Sequence, residues 1–380
     1  MKIYDMDNKC YMEIEKYNDP SRKVEQLSDA IYHYKNDKFK MIYDATQPSL
    51  VSYIDSLDKD LLNGNGMQWL YFTSGTTGTP TGVFKTKENS QSQAMALIKT
   101  FEGMQFNRVV TTVPFVHIYG IDIGGVVPYI LDIDVWTKEN FLPEELAREA
   151  EVEGTLIVTT PVFIKALNRI KKDTKFTNSL FLTSTAPLPL EDGKDFSENY
   201  DCSVSQLFAS TETGLMGYKK NDESILKAYD GVQISQNDDM LCVSSPFVTQ
   251  KVISEGEPIS VDADFQTEDI VEILNDDEFK LLGRSSKLAK IAGKRISTLQ
   301  VEDIVESIDG IEAVFIKIKK DERALKDEIL EIYVQSPQEL KAKTLKEILQ
   351  KSLGSINIPF KIYNHKTILR SSVGKKIGFE

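Results

Sequence analysis

Between Thr73 and Gly82 the chain reads TSGTTGTPTG. Glycines there let the backbone approach a ligand closely and adopt positive φ. Free amides and hydroxyls in such a run suit phosphate oxygens. The run directly follows the apolar stretch Trp69–Thr73 (WLYFT), which has the look of a strand. The residues alone leave two readings, a phosphate cradle and a mobile Ser/Thr/Gly linker. A P-loop is excluded, because GxxxxGK[ST] needs Gly-Lys-Ser/Thr and none occurs.

Other chemistry-bearing residues follow in order. His117 sits in VPFVHIYG, residues 113–120; a lone histidine of this kind is ordinarily a satisfied core residue. Thr211-Glu212 follows the apolar run Gln206–Ser210 (QLFAS). A carboxylate there suits a hard divalent ion that also binds phosphates, although Thr-Glu after a strand is also an ordinary helix N-terminus pair. Asp269 in FQTED reads as a turn residue, GRSSKLAKIAGKRI (283–296) as a solvated basic face, and RSSVGKKI (370–377) as a frayed basic tail.

As an ordered series, these segments resemble the signatures of the adenylate-forming superfamily, which includes acyl- and aryl-CoA synthetases, luciferases and peptide-synthetase adenylation domains. The resemblance runs from about residue 69 to the end. It implies that Thr73, Ser74, Gly75, Thr76, Thr77 and Gly78 hold the ATP phosphates. Thr211 would contact the α-phosphate and Glu212 would bind Mg²⁺. Ala186, in the segment Thr183–Leu188 (TSTAPL), would sit against adenine and the acyl pocket. Asp269 and Arg284 would reach the ribose, and His117 the acyl site and thiol tunnel. Lys290 and Gly293 belong to a hinge motif that faces the acyl-AMP in the thiol step. Lys375 would be the catalytic lysine, with Lys376 as runner-up.

Departures from the pattern are specific. Thr81 stands where the family usually has lysine; nearby Lys85 and Lys87 read as solvated surface lysines or as a substitute charge. Ser184 and Thr185 replace glycines, Glu268 replaces another, and Ser286 replaces the hinge aspartate. The stretch before the loop is shorter than in most relatives. The function implied is ATP-dependent activation of a carboxylic acid, aryl or fatty/short acyl, to acyl-AMP with release of pyrophosphate, then transfer to CoA or to a carrier-protein phosphopantetheine. A non-catalytic AMP- or acyl-binding descendant and an amine-accepting ligase are the alternatives. Amino-acid-activating members of the family carry an aspartate in this region to hold the substrate ammonium, so by the resemblance His117 followed by Ile118 and Tyr119 implies an acid without an α-amino group.

Short apolar runs, among them Leu156–Thr160 (LIVTT) and Leu180–Ser184 (LFLTS), alternate with polar helical stretches. That pattern argues for strands buried in an α/β domain. Near the C-terminus, 301–308 has helical spacing, and 313–318, 329–334 and 360–363 read as strands. Ser336 fits a helix N-cap, with Pro337 in the first turn and Glu339 as the capping-box acid. The expected architecture is a large domain over residues 1–283, built of packed sheets and helices with a short N-terminal subdomain, and a small mobile α+β domain over 284–380.

Composition sets the remaining limits. The chain has 380 residues, 41% hydrophobic and 27% charged, with a formal net charge of −13. Such a surface disfavours nucleic acid. Cys10, Cys202 and Cys242 form no CxxC pair, and the three histidines are far apart; reduced thiols in a cytoplasmic protein are expected. The N-terminus lacks a signal-peptide apolar run, and residues 109–136 are too interrupted for a membrane span.

Overall fold

The computed structural model describes every residue except 74–79, 171–172, 285–287, 292–293, 321–327, 354–357 and 371–375; the side chains of 288, 290, 291, 294, 295 and 377 are likewise outside it. The chain divides into two compact units. The first comprises residues 1–235, 242–265 and 275–278, and the second 236–241, 266–274 and 279–380.

The first unit holds a large sheet. Its strands run in the order Leu226–Ala228, Gly214–Lys220, Ser203–Ser210, Leu180–Thr183, Thr155–Thr159, Arg108–Thr111, Asp134–Thr137, Ile3–Asp5 and Cys10–Met12. From Ser203–Ser210 to Ile3–Asp5 the neighbours are parallel. Parallel strands are covered on both faces and read as continuous apolar runs; Thr155–Thr159 is buried at every position. Helices Pro143–Ala150, Pro161–Ile170 and Leu190–Tyr200 supply a cover. Their core is aromatic: Phe176 stacks on Tyr200 at 4.4 Å, and Phe181 meets Phe196 edge-on at 4.7 Å. Offset or edge-on pairs of this kind add stability beyond their buried area.

A second sheet of this unit has the order Glu257–Ser260, Lys251–Ser254, Thr81–Lys85, Trp69–Thr73, Lys40–Ile42. Trp69–Thr73 and Thr81–Lys85 are antiparallel, with Thr73 opposite Thr81. The phosphate-loop motif is therefore the connection of a hairpin. Thr86 then caps helix Lys87–Thr100 by accepting from Asn89 N, a cap that satisfies an otherwise orphan amide.

In the second unit, strand Ala313–Lys320 pairs antiparallel with Glu328–Gln335, which pairs parallel with Phe360–Tyr363. Helices Thr298–Glu306 and Ala342–Leu353 join their core through Val301, Val305, Leu345 and Leu349. The expected helix start at Ser336 is not found. Ser336 Oγ donates to Gly310 O at 2.8 Å and accepts from Gln338 N at 3.1 Å. It closes a turn, and the helix begins only at Ala342. No helix among the described residues is long and apolar enough to cross a membrane.

Candidate functional site

Three motif segments leave the same end of the parallel sheet. Residues 113–120 follow strand Arg108–Thr111, residues 184–188 follow Leu180–Thr183, and Thr211-Glu212 follows Ser203–Ser210. Open parallel sheets bind ligands outside the carboxyl ends of their strands, so His117, Ala186, Thr211 and Glu212 are gathered where a ligand belongs.

Thr211 and Glu212 lie in the turn between Ser203–Ser210 and the antiparallel strand Gly214–Lys220, not at a helix start. Ser210 Oγ accepts from Thr213 N at 3.1 Å and closes the turn. Gly214 has φ +71°, and a Cβ there would stand 2.8 Å from Phe247 Cβ. That glycine lets the turn press against the 245–248 segment. Thr211 and Glu212 are both half-buried. Among the described residues nothing hydrogen-bonds to the Glu212 carboxylate, and no group of three His, Cys, Asp or Glu side chains is placed to hold a metal. One carboxylate fits the usual Mg²⁺ arrangement, in which substrate phosphates and water complete the shell.

Lys85 corrects one expectation. It is fully buried, and its ammonium donates to Glu212 O at 2.9 Å and to Phe247 O. It is neither solvated nor aimed at the loop. Burial pushes its amine down to about 7, against the attraction of Asp122 and Glu212. Lys87 is partly exposed and pairs with Asp37 at 2.5 Å.

The 184–188 segment keeps glycine-like geometry without glycine. Thr185 has φ +77°, a conformation rare for a branched side chain. Ser184 Oγ anchors the segment by donating to Leu207 O at 3.1 Å. Gln206 Nε2 donates to Ala186 O at 3.5 Å, and among the described residues its buried Oε1 has no hydrogen-bond partner. Gln206 was not singled out in the sequence. Its place two residues before Phe208 was the available signal.

Around His117, Gly120 is required by packing. A Cβ there would lie 2.1 Å from Pro114 O. His117 is half-buried, and its carbonyl accepts from Ile121 N at 3.0 Å. The π-helical turn Tyr119–Val126 follows, a form common near functional sites. Tyr119 OH lies 2.9 Å from Thr159 O and 2.8 Å from Leu182 O. Asp122 is fully buried. Tyr71 OH donates to its Oδ1 at 3.3 Å, and Ser90 Oγ to its Oδ2 at 3.1 Å, with Gln93 Nε2 also on Oδ2. Burial raises its carboxyl to about 7. This aspartate is committed to the core and is not presented to a substrate ammonium.

In the second unit, Asp269 and Arg284 face each other across paired strands. Arg284 Nε stands 3.0 Å from Asp269 Oδ1. Asp269 N donates to Thr267 Oγ1 at 3.0 Å, which fixes the carboxylate's base. The two residues assigned to ribose are thus brought together. Lys376 Nζ is held by Glu302 at 3.0 Å and Glu306 at 2.6 Å; burial, the largest single effect, lowers its pKa, but the two carboxylates together outweigh it and raise it. Lys290 lies opposite Arg295 in the ribbon Leu288–Ile291/Lys294–Ser297. Ser74 to Gly78, Gly293 and Lys375, together with the Lys290 side chain, fall outside the described residues.

Residues 11–239 match the family described as AMP-binding enzyme. The chain belongs to this family. This AMP-binding enzyme is 24% identical over 321 residues to 2-succinylbenzoate–CoA ligase of Listeria innocua, spanning 80% of this chain and 67% of the relative. It is 24% identical over 260 residues to 4-coumarate–CoA ligase of Cereibacter sphaeroides, spanning 67% and 58%. The chain thus spans roughly two thirds or less of these relatives' length. Its fold is that of ATP-bound MatB from Rhodopseudomonas palustris, with a TM-score of 0.72 at 18% identity over 83% of this chain and 67% of that one. It is also that of O-succinylbenzoate coenzyme A synthetase from Bacillus subtilis in complex with AMP, with a TM-score of 0.72 at 17% identity over 93% and 80%.

Proposed function

We propose that this AMP-binding enzyme is an acid–thiol ligase that activates an aryl acid, with CoA as acceptor. A carboxylate oxygen attacks the α-phosphorus of ATP, the bond to the β-phosphate bridge breaks, and pyrophosphate leaves. The thiol sulfur then attacks the acyl carbon and AMP departs. The observation that carries this reading is the gathering of residues 113–120, 184–188 and 211–212 at the carboxyl end of one parallel sheet. The aryl preference rests on relatives named for 2-succinylbenzoate and 4-coumarate, while Asp122, spent within the core, argues only against an amino-acid substrate. A short acyl acid is the second candidate, and a carrier-protein thiol the alternative acceptor.

In this reading Thr211 donates to an α-phosphate oxygen and Glu212 holds Mg²⁺, which neutralises charge on the triphosphate. The hairpin loop after Thr73 cradles phosphates, and Ala186 O lies along the adenine edge. Asp269 and Arg284 take the ribose. Lys375 supplies the positive charge for adenylation; the engagement of Lys376 by Glu302 and Glu306 supports that choice. In the thiol step the small domain pivots about residues 284–287 and presents Lys290 and Gly293. His117 borders the acyl site.

The test is ATP–pyrophosphate exchange over a panel of aryl, short-chain, long-chain and amino acids, followed by thioester capture with CoA and with carrier proteins. Exchange with aryl acids and capture by CoA are expected. No exchange with any acid would favour a ligand-binding descendant, and exchange without thioester an amine acceptor.

A further inference from the structure

Lys85 ends the strand that leaves the phosphate-loop hairpin, and its side chain runs into the core rather than toward a ligand. A buried ammonium survives only where partners replace its water. Here the partners are backbone carbonyls of two separate turns, Glu212 O and Phe247 O. Glu212 O also accepts from Thr249 N at 2.8 Å. The second turn is braced independently: Asn89 Nδ2 donates to Pro246 O at 2.7 Å, and the Thr249 hydroxyl lies on Phe84 O. The strand Thr81–Lys85 and the helix after it therefore grip residues 246–249. Lys85 carries that grip across to the Thr-Glu turn. No other described side chain donates to Glu212 O.

We propose that Lys85 is a positioning residue for Glu212: it ties the strand emerging from the phosphate loop to the backbone of the Thr-Glu turn and so fixes where the Glu212 carboxylate meets a metal–triphosphate. The proposal deepens the ligase reading and rests on its assignment of Glu212. Lys85 itself touches no ligand in this arrangement. An apolar side chain of the same length fills the space but leaves Phe247 O unpaired and the turn free to shift.

The test uses the full chain and its Lys85→Met variant. Mn²⁺ binding to the enzyme–ATP complex is followed by electron paramagnetic resonance, and ATP binding in EDTA by calorimetry. The expected result is a loss of Mn²⁺ affinity of about tenfold or more, the scale seen when support behind a metal ligand is removed. Metal-free ATP affinity stays near the wild-type value. In pyrophosphate exchange, kcat falls while the acid KM holds. Unchanged Mn²⁺ affinity in a folded variant overturns the proposal, as does an equal loss of ATP and Mn²⁺ binding, which marks a purely structural role. Should Lys85→Met not fold, Lys85→Gln, which keeps a shorter donor, carries the same comparison with a smaller loss expected. If the wild-type chain shows no exchange with any acid, the ligase reading fails, while the Mn²⁺ comparison still decides the role of Lys85.

Discussion

Replacing Thr185 by glycine should stabilise the first unit relative to replacing it by alanine. Thr185 holds φ +77° with a branched side chain. The left-handed region costs an L-residue roughly 1–2 kcal/mol, and glycine avoids that cost. Glycine gives back roughly 0.5–1 kcal/mol through its freer unfolded chain. Comparing Thr185→Gly with Thr185→Ala cancels the lost hydroxyl and methyl contacts, since both variants lack them. What remains is roughly 0–1.5 kcal/mol in favour of glycine, with a midpoint of about 0.75. Urea unfolding followed by tryptophan fluorescence suits the measurement, because the chain's two tryptophans, Trp69 and Trp136, both lie in the first unit. Greater stability for the alanine variant would refute the claim of stored strain. Strain of this kind is retained where the surroundings over-determine a geometry. The glycine variant is therefore also expected to raise the acid KM in pyrophosphate exchange, as the segment carrying Ala186 loosens.

Other outcomes follow from the same structure. Gly120→Ala drives a methyl into Pro114 O, 2.1 Å away, and should cost about 1–3 kcal/mol in urea unfolding. Lys376→Met strands Glu302 and Glu306 and should lower stability by roughly 3–5 kcal/mol, with adenylation retained while the chain is folded. Lys375→Ala should cut exchange by ~10²–10³ without that loss of stability, and spare thioester formation from supplied acyl-AMP. For pH, the Asp122 carboxyl is raised from 3.8 to about 7. The folded chain then holds a proton that the unfolded chain has released, so this contribution is present below about pH 4 and lost as pH rises through 7. Lys85, lowered from 10.5 to about 7, has the opposite sign: its contribution is present above about pH 10 and lost as pH falls through 7. Asp122→Asn should flatten the fall in urea midpoint between pH 4 and 7, and an unchanged slope would contradict the assignment.

Much of the scaffold was legible because parallel strands announce themselves as apolar runs. WLYFT and LFLTS became Trp69–Thr73 and Leu180–Thr183 almost as written. Lys85 escaped for the same physical reason. Positions 82–85 of its strand are all buried, so alternation, the signal that tells an inward side chain from an outward one, is missing. Asp122 hides likewise in a turn buried throughout. Ser336 had the residue types of a cap, but Gly310 O took its hydroxyl from a distant loop. The contact between Asp269 and Arg284 depends on hairpin register with a bulge after Ile270, which composition does not encode. At Thr185 the backbone takes φ +77° with a branched side chain, which residue type alone does not reveal.

Ile3 pairs with Val135, and Asp5 with Thr137, so an early strand waits for a partner over a hundred residues downstream. At ribosomal speeds of about 5–20 residues per second, the wait is of order ten seconds. Throughout it, among the described strands, Ile3–Asp5 has only Cys10–Met12 to pair with, and a hairpin so short is barely stable in water. Crowded polysomes would then place several such unfinished edges side by side, each a template for its neighbour. The vulnerable moment for this protein is thus set by translation speed, and slowing synthesis downstream of residue 12 should lengthen it.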